Sequence, residues 1–331
     1  MTNLEARPDT ETCAAGSHPL GVEILAAREV PLGGPRAMTV RRTIPQRRRS
    51  LVGAWCFADH YGPDDVSRSA GMQVPPHPHT GLQTVTWLFE GEIEHRDSLG
   101  SLQRVRPGEL NLMTAGFGIS HSEASPATRP DTLHGVQLWT ALPGHALDVG
   151  PSFEHHADLP AAEVDGARVQ VMIGSLGVRG QRLTSAATAF TPLVGAQIDL
   201  APGATVDLEV DGDHEHGLLV DAGDAGVAGT AVPVGALGYV APGHPTLRVT
   251  AGPDAPVRAV LIGGEPFDEE IVMWWNFVGR SHEDVARARA DWERGGPDGR
   301  FGHVEGFPAP ALPAPPIPDV RLRPRRRPST P

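Results

Sequence analysis

The sequence predicts an all-β protein made of two β-barrels in tandem, followed by one short helix and a proline-rich tail. Three observations predict it. Short apolar runs, each closed by Gly, Pro or Asp, recur to about residue 265 with no sustained helical period. A faint internal repeat splits these runs in two. Pro107-Gly108 followed by Ala115-Gly116 returns as Val234-Gly235 followed by Pro242-Gly243, the second glycine eight positions after the first each time. The only helix signal, at 281–293, falls after both copies. A chain of 331 residues is long enough for two cores.

In order, residues 1–20 read as a flexible leader and 21–142 as the first barrel. Within that barrel, 51–60 (LVGAWCFADH) and 84–89 (TVTWLF) are strand-rich by β-branched and aromatic content. The Arg47-Arg48-Arg49 run reads as a solvated turn. The stretch 143–166, rich in Pro, Gly, His and Asp, reads as a linker, and 167–265 as the second barrel. Residues 266–307 hold an aromatic segment (MWWNF) and the helix. Ser281 is its N-cap, Glu283 and Asp284 lie in its first turn, and Val285, Ala288 and Trp292 form an apolar stripe that packs onto a barrel. Gly295-Gly296-Pro297 ends it. From Pro308 to the end nine of 24 residues are proline, which disfavours helix and sheet interior and leaves an extended strap or a disordered tail.

The stretch from Val74 to Pro126 carries the chemistry. It opens with His77-x-His79 and closes with His121-x-Glu123. Residues two apart on a strand point to one face, so each pair aims two donor atoms at one place. Two such strands side by side surround one cavity with three imidazoles and a carboxylate, a set suited to a first-row divalent metal. Four ligands also satisfy zinc, and the residues alone leave the metal open. Free histidine titrates near ~6.5, so metal loss is expected below about pH 6. Gln83, His95 and Asp97 lie in the same motif and are candidates to hold a ligand tautomer. In the second barrel His214-x-His216 resembles the first doublet, with Asp221 five residues on. The place equivalent to His121 is Arg248, with His244 out of register, so that barrel is expected to lack a metal and to end in a polar mouth.

The wording PPHPHTGLQTVTWLFEGE, then HRDSLG, then RPGELNLMTAGFGISHSE resembles the pirin family of the cupin superfamily over about fifty residues. The resemblance implies two cupin barrels in one chain. It implies one non-haem iron (Fe2+, with other divalent metals possible on purification) held by His77, His79, His121 and Glu123, with Glu123 also a candidate catalytic base. It implies quercetin 2,3-dioxygenase-type activity on a small aromatic chelating substrate. The alternative it implies is a redox-sensitive iron-dependent module that binds a transcription factor or metabolic enzyme without turnover. Many pirins carry Glu where Gln83 stands, which bears on a base role at that position and not on the ligands.

Composition excludes other classes. The net charge of −12 disfavours nucleic acid. All 28 cationic residues are arginine, which rules out Schiff-base, Walker-type and lysine-base chemistry, and with them a lysine-dependent sugar isomerase. Cys13 and Cys56 form no CxxC or zinc spacing, so redox sensing would run through a metal. No apolar run spans a bilayer and no signal peptide is read, so a cytoplasmic monomer is expected.

Overall fold

A computed structural model describes residues 21–31, 38–296 and 298–324. The expected leader, Cys13 and the Arg325-Arg326-Arg327 run lie outside the described residues. The first strands are β1 (Glu23–Leu25), β2 (Arg28–Pro31), β3 (Thr39–Ile44), β4 (Trp55–Asp65), β5 (Gln73–His79), β6 (Leu82–Glu90), β7 (Ile93–Asp97), β8 (Leu102–Val105), β9 (Leu110–Thr114), β10 (Ile119–Ala124), β11 (Thr132–Ala141) and β12 (Ser152–His156). There follow β13 (Ala161–Val164), β14 (Ala167–Val178), β15 (Gln181–Thr184), β16 (Leu193–Leu200), β17 (Thr205–Glu209), β18 (Glu215–Ala222), β19 (Ala225–Val227), β20 (Thr230–Val232), β21 (Leu237–Val240), β22 (Thr246–Ala251), β23 (Val257–Gly264), β24 (Val272–Trp274) and β25 (Phe277–Gly279). The helix α1 (His282–Arg294) comes last.

Apart from β15, which pairs only with β14, the two halves repeat strand for strand. The first has a sheet in the order β12-β9-β6-β11-β4-β3-β2 and a second sheet β5-β10-β7-β8. The second runs β1-β21-β18-β23-β16-β14, with β13 also on β14, and continues into β17-β22-β19-β20. The tandem all-β fold is therefore as the sequence predicts.

The barrel boundaries differ from the sequence reading. The stretch 143–166 is structured, not a linker. β12 pairs with β9, from Ser152↔Thr114 to His156↔Leu110, and β13 pairs with β14. Its turn-rich composition hides an edge strand, because an edge needs only one ladder of hydrogen bonds. β1 precedes the first barrel yet pairs with β21 of the second, Glu23 opposite Tyr239. The first barrel thus takes its edge strand from the segment between the barrels, and the second takes its own from the segment ahead of the first.

The large sheets pack face to face. Val85, Trp87, Leu110, Leu112, Val136 and Leu138 of the first meet Leu193, Leu219, Leu237, Tyr239, Val260 and Ile262 of the second. Trp55 Nε1 donates to Val194 O (3.2 Å) and Gly263 O (3.1 Å), and Trp87 Nε1 to Gln197 Oε1 (2.7 Å). Arg49 is buried at this seam and is no solvated turn residue. It donates to Glu23 (2.8 Å), lies 3.7 Å from Glu215 and stacks 3.3 Å over the Tyr239 ring.

Ser281 Oγ accepts from Asp284 N, and Asp284 Oδ2 accepts from Ser281 N, so α1 begins with a capping box. Val285 and Ala288 are buried with Trp274, Trp275, Phe277 and Phe301. The proline-rich segment is an ordered strap as far as residue 324. Trp292 Nε1 and Arg289 Nε donate to the carbonyls of Leu312 (2.8 Å) and Pro315 (2.6 Å). Leu312 N donates to Pro76 O (2.8 Å), which covers the edge of β5. Proline cannot donate to a ladder, so the strap uses its carbonyls and a few intervening N–H groups. No helix among the described residues is long and apolar enough to cross a membrane.

Candidate metal centre

His77 and His79 lie on β5, and His121 and Glu123 on its antiparallel neighbour β10. His121 stands opposite His77, and a register shift follows before Glu123, which stands opposite Val74. The shift puts one extra residue on β5 between these two pairs. All four side chains are at most 1% exposed. The donor atoms of the three histidines lie within 4.8 Å of one another, and their ring centroids are 4.4 to 5.0 Å apart.

The nitrogens that face this point lack partners. His77 Nε2, both ring nitrogens of His79 and His121 Nε2 are buried without a hydrogen bond. An unmet buried polar atom costs about 1–3 kcal/mol, a cost that a ligand accepting contact with their lone pairs would offset. His77 Nδ1 lies 2.8 Å from the Pro75 carbonyl. It therefore carries the hydrogen and leaves Nε2 its lone pair. Burial pushes the His77 pKa down to about 3 and holds His79 and His121 well below the usual value. Protons compete for these nitrogens at far lower pH than the value near 6 that free histidine implies. Glu123, two residues along β10 from His121, is not among the donors within 4.8 Å of one another, though its charge acts on His77; the three neutral imidazoles fit a divalent metal.

The neighbours orient the ligands. Thr86 on β6 lies 3.1 Å from Glu123 Oε1 and 3.1 Å from Gln137 Oε1. His95 on β7 reaches His121, Nδ1 to Nδ1, at 3.3 Å, and its Nε2 is 3.0 Å from Asp97 Oδ2. Phe153 of β12 stacks on His95 with centroids 4.3 Å apart, a contact hidden in the stretch the sequence reads as linker. Burial pushes the Asp97 carboxyl up, but the bonds from His95 and Ser101 outweigh this and hold it below its usual range. Gln83 points the other way. Its amide nitrogen donates to Thr114 Oγ1 and to Thr188 O of the second barrel, both at 3.0 Å, while its oxygen accepts from Thr140. It is a seam residue and not a base.

Residues 37–140 match the Pirin family, and residues 195–301 match the Pirin C-terminal cupin domain. The chain belongs to the pirin family. A Pseudomonas aeruginosa protein provisionally named a quercetin 2,3-dioxygenase is 42% identical over 96% of this chain and 98% of its own length. A pirin-like protein of Caulobacter vibrioides is 36% identical over 87% of this chain and 98% of its own. The crystal structure of a quercetin 2,3-dioxygenase from Acinetobacter baumannii aligns with a TM-score of 0.85 and 37% identity, covering 92% of this chain and 98% of that one. The barrels are therefore cupin barrels.

The second barrel lacks the site, for a reason other than the one the sequence offers. By topology β17 and β22 correspond to β5 and β10. Leu208 stands opposite Leu247 and Val206 opposite Val249, all buried in an aliphatic core. Arg248 points outward to an exposed ion pair with Asp207 (2.8 Å) and so repels nothing inside. His214 precedes and His216 lies at the start of β18, which corresponds to β6, so they are no counterpart of the first doublet.

One further convergence was not legible. His60 (β4), His134 (β11) and Asp221 (β18) meet across the seam, with both Nε2 atoms 2.6 Å from Asp221 Oδ1. Two guanidiniums flank it: Arg258 Nε at 2.6 Å from Asp221 Oδ2, and Arg41 Nη2 at 3.2 Å from His60 Nε2. Arg258 also approaches His134 Nδ1 (3.4 Å), which makes that nitrogen the acceptor and puts the hydrogen on Nε2. The cluster is a charge-compensated clasp between barrels, and its cations disfavour a metal there.

Proposed function

We propose that this pirin is a dioxygenase that holds ferrous iron through His77, His79, His121 and Glu123 and acts on a small aromatic chelating substrate of the flavonol type. The observation that carries the reading is the set of three unpartnered, buried imidazole nitrogens beside a buried carboxylate. Likeness over nearly the whole chain to a quercetin 2,3-dioxygenase supports the reaction class. When bound, the iron supplies Lewis acidity and a template for substrate oxygens and dioxygen.

The chain's own residues do the rest. The β5–β10 pair fixes four donors on a rigid ladder, which keeps ordering costs low. Thr86 fixes the carboxylate of Glu123, the group that takes the proton of the substrate hydroxyl. The strap over Pro76 and the bonds from Ser120 N and Oγ to Phe301 O close the outer side of both ligand strands against water.

The test is oxygen uptake with quercetin by anaerobically purified, iron-loaded protein, beside His121→Ala and Glu123→Ala. Uptake in the wild type that is lost in both variants supports the reading. Bound iron with no uptake overturns the dioxygenase and leaves the redox-sensitive binding module.

A further inference from the structure

We propose that Asp97 and His95 form a tautomer relay that decides which nitrogen of His121 carries its hydrogen, and so keeps the His121 Nε2 lone pair ready for the metal. The proposal rests on the reading of His121 as a ligand. Neither His95 nor Asp97 is a ligand itself, and both are positioning residues.

Asp97, 2% exposed, lies at the end of β7. Its Oδ1 accepts the backbone N–H groups of Leu99 (2.9 Å) and Ser101 (3.0 Å). Those two donors pin the carboxylate so that Oδ2 faces His95 Nε2 at 3.0 Å. A carboxylate only accepts, so His95 Nε2 carries hydrogen. The neutral ring then has its lone pair on Nδ1, which lies 3.3 Å from His121 Nδ1. Two facing Nδ1 atoms bond only if one carries hydrogen, and it falls to His121. His121 Nε2 is left bare, and it is the buried nitrogen without a partner. Two further contacts hold the geometry: the Phe153 ring lies within 16° of parallel to His95, and β7 pairs with β10 so that Asp97 stands opposite His121.

The relay makes an unusual demand on substitutions. Asp97→Asn is isosteric, and its oxygen must stay with the Leu99 and Ser101 amides because an NH2 group cannot accept from them. Its NH2 is therefore forced toward His95 Nε2, which becomes the acceptor. Every tautomer downstream inverts: His95 Nδ1 gains the hydrogen, His121 Nδ1 accepts it, and His121 Nε2 becomes N–H. Asp97→Ala removes the anchor but imposes no tautomer. A residue that only supports the β7 turn would rank the other way, with Asn milder than Ala because it keeps both backbone bonds.

The experiment reads the histidine tautomers of the metal-free protein by long-range 1H–15N NMR, then titrates Co2+ against a chromophoric chelator. The expected result is an Nδ1–H tautomer for His121 in the wild type and an Nε2–H tautomer in Asp97→Asn. Co2+ affinity should fall about 10–100-fold in Asp97→Asn, the usual cost of losing a ligand's hydrogen-bonded support, and fall less in Asp97→Ala. If Asp97→Ala fails to fold, the tautomer inversion in Asp97→Asn decides alone. An unchanged His121 tautomer in Asp97→Asn, or Co2+ binding as tight as in Asp97→Ala, overturns the relay. A wild type that shows the tautomers but takes no Co2+ overturns the ligand reading and upholds the relay.

Discussion

The two barrels share one connectivity and differ at the four inward positions of one strand pair. On β5 and β10 these are His77, His79, His121 and Glu123; on β17 and β22 they are Val206, Leu208, Leu247 and Val249. The second set makes a closed aliphatic core. The first buries polar atoms that nothing in the described chain satisfies. The fold therefore does not require the site, and the first barrel bears a cost that a bound ligand offsets.

Exchanging the two sets is the harshest way to break this contrast. Leu247→His should destabilise the metal-free protein by about 3 kcal/mol or more, because it empties aliphatic volume and buries an unmet polar group. His121→Leu should change metal-free stability by less than about 1.5 kcal/mol, since it removes such a group, while metal binding is lost. Urea unfolding measures both, and a Leu247→His protein as stable as wild type would contradict the account. At the seam, Arg49→Ala strips the buried Glu215 of its nearby cation and should cost about 3 kcal/mol in the same assay. A loss under about 1 kcal/mol would show that the Gly53 and Tyr239 bonds to Glu215 suffice.

Gln83→Glu sharpens the comparison from the other side. A carboxylate cannot donate to Thr188 O, so stability should drop by about 1–3 kcal/mol. Metal content should not change, because residue 83 faces the seam. Loss of metal in this variant would place it at the site instead.

The smallest expected effect is pH dependence at the clasp. Burial is the largest influence on His60 and lowers its pKa against the pull of Asp221. Its unfolded form takes a proton more readily, so this stability is present above ~6.5 and is lost as pH falls below it. Asp221 is also depressed. Burial opposes this, but His134, His60 and Arg258 outweigh it, so its contribution is present above ~3.9 and is lost in acid. Both shifts loosen the seam on acidification. His60→Gln should flatten the fall in stability between about pH 6.5 and 5 by up to ~1.4 kcal/mol per pH unit. An unaltered slope would remove His60 from the account.

What the sequence made legible follows from how local each signal is. The ligand doublets were readable because two-residue spacing on a strand fixes a shared face. The N-cap at Ser281 was readable because its signal is equally local, while the reciprocal bond from Asp284 came from the structure. The glycine repeat set Arg248 against His121, but the inward place belongs to its neighbour Leu247; a side chain's face reverses with a one-residue slip, which the repeat could not resolve. His214-x-His216 misled because a doublet carries no record of which strand holds it. Gln83, Arg49 and the His60–His134–Asp221 clasp depend on contacts across the seam, and no local pattern encodes those. The edge strand β12 and the distant partner of β1 were hidden for the same reason.

The central claim is that one barrel keeps a metal centre and its twin has replaced it with aliphatic core. The most direct measurement is the metal stoichiometry of anaerobically iron-loaded wild type, His121→Ala and Glu123→Ala after desalting. The account predicts one iron per chain in the wild type and strong loss in both variants. Two irons per chain, or full retention in both variants, would contradict it.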